Sequence, residues 1–187
     1  MILFFKNLLA DFHFLRGMNT LNRGRLNSAL AYFSRAIGLR PDNAIYYHGM
    51  ALAYMMLGEV QEAIDGFNHA IQLDSRFADA YSNRALAYLQ LGDYDAAIRD
   101  MSQALKLEPT TYDIYLNRAY AFSEKGDFES ALRDYETLLR RNPDEVLALS
   151  SRGVVRASMG ERDAALADCD RAITIAPDMP ELYSNRA

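Results

Sequence analysis

The sequence predicts an all-α solenoid of antiparallel helix pairs, and three observations carry that prediction. Gly24, Gly58, Gly92, Gly126 and Gly160 stand 34 residues apart, each followed five residues later by Ala29, Ala63, Ala97, Ala131 or Ala165; a fixed period of this length marks a repeat array. Within each period two apolar stripes recur at helical spacing, one before the glycine and one after it. Pro41, Pro109, Pro143 and Pro177 share one position just past the second stripe, where a missing N–H and a fixed φ stop a helix. The units therefore span 10–43, 44–77, 78–111, 112–145 and 146–179, with a partial sixth over 180–187.

In chain order, Met1 to Leu9 (MILFFKNLL) is an apolar extension that lengthens the first helix with Ile2, Leu3, Phe4, Phe5, Leu8 and Leu9. Its apolar side is expected to cover the first unit as a cap. Self-association is a competing reading, and a membrane-surface helix is disfavoured because Lys6 is the only base before Arg16. The first helix of a unit is illustrated by 78–111, where Tyr81, Ala85 and Tyr88 share a face. Gly92 then supplies a left-handed stop that a residue with a Cβ reaches at a cost of ~1–2 kcal/mol. The second helix carries Tyr94, Ala97, Met101, Ala104 and Leu105 on one face, its alanines allowing close helix contact. Unit two has Ser75 in place of the proline, and unit four has Leu138 in place of an alanine. Unit five has Arg156 and Arg162 where units three and four have Tyr88, Phe122, Tyr94 and Phe128, and is expected to pack more loosely. Pro180 opens the last segment as a first-turn residue. That segment offers about two helical turns, so the natural protein is expected to continue, or this end to pack against another copy.

Composition narrows the function. Half of the 187 residues are apolar and the net charge is −5, which gives a folded chain without the basic surface that nucleic acid requires. A single cysteine, Cys169, cannot form an internal disulfide and fits a reducing, cytoplasmic setting. No apolar run reaches the ~18 residues of a membrane span, and Lys6 interrupts any secretory signal. Phosphate loops, G-x-S-x-G, H-E-x-x-H and paired C-x-x-C motifs are missing, so no catalytic residue and no cofactor is assigned and the chain is read as a non-enzyme. His13, His48 and His69 share no helical face that would converge on a metal. Cys169 takes the position of Phe33, Phe67, Met101 and Tyr135 and reads as a small core hydrophobe. Acid pairs such as Asp93 with Asp95, and Asp168 with Asp170, read as solvated faces.

The pattern resembles the tetratricopeptide repeat family over residues 10 to 187. Unit three carries the resemblance in Tyr81, Ala85, Tyr88, Gly92, Ala97, Met101, Ala104 and Pro109. The resemblance implies a right-handed superhelix in which first helices line a concave groove and second helices face outward. It also implies that the chain binds a protein or peptide partner in that groove.

Arg84, Arg118 and Arg152 fall at the seventh position of their units, and Asp100, Asp134 and Asp168 at the twenty-third. In a pair folded at the fifteenth position these two places are nearly mirror-related, which predicts an arginine–aspartate bridge within a unit or to the next. Unit two has Met50 and Gly66 instead, and in unit one Arg16 faces Tyr32.

The resemblance assigns positions 2, 5, 6, 9, 12 and 13 of each first helix to the groove. In units one and two the lining is apolar and rich in methionine: Phe14, Leu15 and Met18, then Ile45, His48, Leu52, Met55 and Met56. From unit three it turns polar, with Asn83, Leu86 and Gln90, then Asn117 and Tyr120, then Ser150 and Ser151. Asn83, Asn117 and Asn185 share the sixth position, with Ser151 filling the gap. An amide offers a donor and an acceptor together and can hold a peptide main chain without reading its side chains. Neighbouring helices ~8–10 Å apart would meet every third residue of an extended peptide advancing ~3.3 Å per residue. The row is similar to the asparagine ladder in the repeat region of O-linked N-acetylglucosamine transferases. The carboxylate clamp of chaperone-binding tetratricopeptide domains is not matched: around Asn83 stand His48, Leu52, Asp113 and Asn117, and an aspartate would repel a ligand carboxylate. The reading is thus a non-catalytic scaffold that binds a peptide segment. Its alternatives are the repeat portion of a larger, glycosyltransferase-like enzyme, or a homotypic module forming a homo-oligomer through the exposed ends of the array.

Overall fold

The computed structural model describes residues 2–186, with side chains from Phe4 onward; Met1, Ala187 and the side chains of Ile2 and Leu3, which the extension 1–9 and the array 10–187 include, lie outside the described residues. The described residues form eleven α-helices and no strand. They are α1 (Ile2–Asn22), α2 (Leu26–Leu39), α3 (Ala44–Leu57), α4 (Val60–Leu73), α5 (Ala78–Gln90), α6 (Tyr94–Leu107), α7 (Tyr112–Glu124), α8 (Phe128–Arg141), α9 (Val146–Ser158), α10 (Arg162–Ile175) and α11 (Pro180–Arg186). The chain divides into two compact units, Met1–Leu107 and Glu108–Ala187. The first stacks the hairpins α1/α2, α3/α4 and α5/α6, and the second stacks α7/α8, α9/α10 and α11.

One turn makes every hairpin. The five periodic glycines have φ between +69° and +83°, the left-handed region that a Cβ disfavours. At Gly58 the N–H donates to the Met55 carbonyl, and the next N–H, from Glu59, reaches back to Tyr54. The same two bonds recur around Gly24, Gly92, Gly126 and Gly160, so each first helix closes on a Schellman motif. Asp93 and Asp127 then accept the backbone N–H groups of Ala96 and Ser130 and cap α6 and α8. Asp93 is therefore not merely a solvated acid, as its exposed turn position suggests; three orphan donors follow it, and its side chain takes one. Second helices stop two residues before Pro41, Pro109, Pro143 and Pro177. At the site lacking a proline, Asp74 ends α4 in an extended conformation and its carboxylate accepts the Arg76 N–H.

Small residues set the spacing inside each hairpin. Gly17 and Gly153 share the eighth position; a Cβ on the first would meet the Phe33 ring at 2.6 Å, and one on the second the Cys169 Sγ at 2.8 Å. The first unit packs around Phe33, Tyr46 and Phe67, and the second around Tyr135, Leu138, Leu149 and Val155. Cys169 is buried, and burial pushes its thiol pKa up.

The arginine–aspartate bridges form within each hairpin. Arg84 Nε and a terminal nitrogen bind the two Asp100 oxygens at 2.7 Å each. Arg118 holds Asp134 at 2.8 and 2.8 Å, and Arg152 holds Asp168 at 2.8 and 2.6 Å. All three carboxylates are buried, so Asp168 is not a solvated acid. Aromatic residues one turn before and after the arginine flank it: Tyr81 and Tyr88 for Arg84, Tyr115 and Phe122 for Arg118. The α9/α10 hairpin is not loosened by its missing aromatic, because Arg156, a second guanidinium, donates a third bond to Asp168 at 2.8 Å. In α3/α4, where the ion pair is absent, Gly66 lies so close to Ala51 that a Cβ there would meet the Ala51 Cβ at 2.8 Å. Close apolar contact replaces the bridge.

The extension departs from the cap expected of it. It continues α1 without a break, but Phe4, Phe5, Leu8 and Leu9 are exposed rather than laid over the first hairpin. The side of α1 that packs on α2 and α3 is supplied instead by Ala10, Phe14 and Leu21.

Candidate functional site: the wall of first helices

The candidate site lies on the first helices, and each unit presents its own stretch. In the first unit, α3 contributes His48, Leu52 and Met55, all half-buried. Leu52, Met55 and Met56 line a cavity of about 640 Å³ together with Leu21, Asn22 and Gly24 at the end of α1. Among the described residues that line it, none is charged. Phe14 and Met18 do not join this wall; the Phe14 ring tilts against Phe33 and Tyr46, because the small residues Ala10 and Gly49 leave it room between hairpins. Leu15 stays exposed.

On α5, Asn83 is half-buried and its Nδ2 lies 3.0 Å from His48 Nε2. The amide nitrogen is a donor, so this contact places the acceptor lone pair of a neutral imidazole on Nε2 and its proton on Nδ1. The His48 ring sits against Phe67 and Phe77, with centroids 5.6 and 4.8 Å away. Burial holds its pKa below 6.5, and Asp79 partly opposes the shift. Leu86 is half-buried beside this site, and Gln90 is exposed at the end of α5.

In the second unit, Asn117 on α7 is half-buried and Tyr120 is exposed one turn later. Ser151 on α9 is half-buried near the Tyr135 phenol of the preceding hairpin, and burial drives that phenol's pKa up to about 12. Asn185 on α11 is exposed and donates from Nδ2 to Ser150 Oγ at 2.8 Å.

Two of these bonds have one geometry. His48 with Asn83, and Ser150 with Asn185, each join the fifth position of a unit to the sixth position of the next, 35 residues on. In both, the amide NH2 points back to the preceding first helix, which leaves the side-chain carbonyl as the uncommitted acceptor. The sixth position alone was legible as a row of amides. That the fifth position orients it was not, although the spacing of 35 from His48 to Asn83 and from Ser150 to Asn185 is the signal that finds it.

Sequence comparison bears directly on this repeated architecture. Residues 78–111 and 116–180 match the pattern described as Tetratricopeptide repeat, and 21–58 and 53–92 match that described as TPR repeat. The chain belongs to the tetratricopeptide repeat family. Proteins of this family are in general interaction scaffolds without catalytic machinery. Solved tetratricopeptide structures share the fold at low identity. YrrB, described as a TPR protein with an unusual peptide-binding site, is 22% identical, covers 92% of this chain and 89% of its own, and has a TM-score of 0.84. MamA from Desulfovibrio magneticus RS-1 is 16% identical, covers 91% and 97%, and reaches 0.85. The thermophilic TPR protein TTC0263 of Thermus thermophilus is 21% identical, covers 95% and 96%, and reaches 0.65. No curated protein sequence matches the chain. Among the described residues, no helix of this tetratricopeptide chain is long and apolar enough to cross a membrane.

Proposed function

We propose that the first helices bind a segment of a partner protein, with Asn83 as a main-chain rung in the first unit, and Asn117, Ser151 and Asn185 as rungs in the second. The observation that carries this reading is the paired orientation of Asn83 and Asn185, each donating to the preceding first helix and keeping a side-chain carbonyl for an incoming N–H. A backbone amide of the ligand is the donor that such a carbonyl accepts at regular intervals. In the first unit, the methionine-lined cavity takes an apolar side chain of the ligand that Asn83 holds, and its lining without charged residues selects against acidic or basic anchors. Leu86, Gln90 and Tyr120 border the ligand. YrrB, which shares the fold and is described as having a peptide-binding site, supports the class of partner.

The test is an array of varied peptides about ten residues long, enough to span three rungs. Ligands selected by the wild-type chain are titrated against Asn83→Ala for the first unit, and against Asn117→Ala, Asn185→Ala and their double variant for the second. At a net ~0.5–1.5 kcal/mol per hydrogen bond, the double variant loses about 5- to 150-fold in affinity. Ligands retained at wild-type affinity by the double variant would remove the ladder.

A further inference from the structure

We infer that the exposed apolar side of α1 is an interface with a second copy of this chain, formed by two antiparallel α1 helices around a twofold axis. This surface is separate from the peptide-binding rungs and does not depend on them.

Three observations lead there. The third position of a first helix is buried against the preceding hairpin: Tyr46 is 1% exposed and packs on Ala10 and Ala36, and Ala148 is 0% exposed. In α1 the same position is Phe12, and it is 50% exposed. The position that elsewhere makes the contact between hairpins is here a large aromatic side chain left open. α1 continues as helix back to Ile2, past the place where the turn between regular hairpins would fall.

Second, the stripe is self-complementary. Phe5, Leu8, Phe12 and Leu15 are spaced three, four and three residues apart, the seam spacing of paired helices, and are 59%, 57%, 50% and 65% exposed. Set antiparallel on a copy of itself, Phe5 faces the second copy's Leu15, and Leu8 faces its Phe12. Every layer then joins one phenylalanine to one leucine, and Leu9 lies beside the axis. A twofold interface requires this reciprocity, in which each residue meets the residue that it is itself met by.

Third, the area suffices and the charges fit poorly with a lipid surface. With Phe4 and Leu9, six half-exposed side chains of ~200 Å² each offer on the order of 600 Å² of apolar surface per copy, close to the ~800 Å² per partner of a specific interface. Lys6 and Arg16 are the only bases along this helix, and Arg16 lies 5.5 Å from the Phe12 ring centroid. A helix lying on anionic lipid carries a basic face instead. Asp11 is drawn away from the stripe by the Tyr46 hydroxyl, which donates to it.

The test uses the whole chain in sedimentation equilibrium from about 1 to about 100 µM, a span that covers weak and moderate dimers. The wild type is expected to pass from monomer to dimer. Leu8→Glu and Phe12→Glu, both at solvent-exposed positions, are expected to keep the wild-type helicity and melting temperature at concentrations where both chains are monomeric, and to raise the dissociation constant at least about thirtyfold, since the axis repeats each change. Register is read by mixing Leu8→Cys with Phe12→Cys under oxidation: the mixture cross-links faster than either variant alone. A strictly monomeric wild type at the highest concentration overturns the inference. So does association that survives both glutamate variants, and so does a monomer that co-sediments with vesicles of anionic phospholipid through this stripe.

Discussion

Removing the Asp134 carboxylate tests the physical logic of the hairpins most directly. The carboxylate is buried, with 7% of its side chain exposed, and Arg118 is 19% exposed. Two charge-assisted bonds of 2.8 Å join them, in a fork that only the guanidinium provides. Asp134→Ala leaves a largely desolvated cation without its carboxylate, and breaking such a pair from one side costs about 3–5 kcal/mol when burial is complete. Here the guanidinium keeps a solvent edge and the rings of Tyr115 and Phe122, with centroids 5.6 and 5.8 Å away, which favour a cation. The expected loss is therefore about 2–4 kcal/mol. It is measured by urea unfolding followed by circular dichroism, with the slope checked, because an array of hairpins can unfold in parts. Peptide affinity is expected to change less than stability, since the bridge lies between the helices of one hairpin. Replacing both partners, Arg118→Met with Asp134→Leu, should restore most of the loss. A loss below about 0.5 kcal/mol, the worth of an exposed pair, would refute the assignment of these bridges as buried structural contacts.

Two further outcomes follow from buried groups, beside those set out for the rungs and for α1. Burial lowers the His48 pKa from 6.5, so the unfolded chain takes up the proton first as pH falls; stability that is present above pH 6.5 is lost as pH drops from there through the depressed value. His48→Gln keeps an acceptor for Asn83 and removes the titration, so the difference in urea midpoint between about pH 7.5 and about pH 5.5 should shrink, and an unchanged difference would contradict the burial of this ring. Cys169 is buried with its thiol pKa raised, so an aromatic disulfide reagent at neutral pH should label it only as fast as the hairpin opens; labelling at the rate of a free thiol would show it accessible.

Much of this protein is written locally. The period of 34, the left-handed glycines and the prolines two residues past the second helices each act through backbone torsion or a missing donor within a few residues, so they are legible one residue at a time. The arginine–aspartate bridges were legible as well, because a fold at the fifteenth position places the seventh beside the twenty-third whatever surrounds them.

Other features needed the packed hairpins. Composition made the extension a cap, yet Phe5 and Leu8 face solvent, since Ala10, Phe14 and Leu21 already fill the side of α1 toward α2 and α3. Arg156 suggested a loosened hairpin until its guanidinium met a carboxylate twelve residues on. Asparagine at the sixth position is a fact of sequence. Which end of its amide is spent on His48 or Ser150 depends on the distance between helices of adjacent hairpins, and a contact across 35 residues is set by how those hairpins stack, not by the residues on either side.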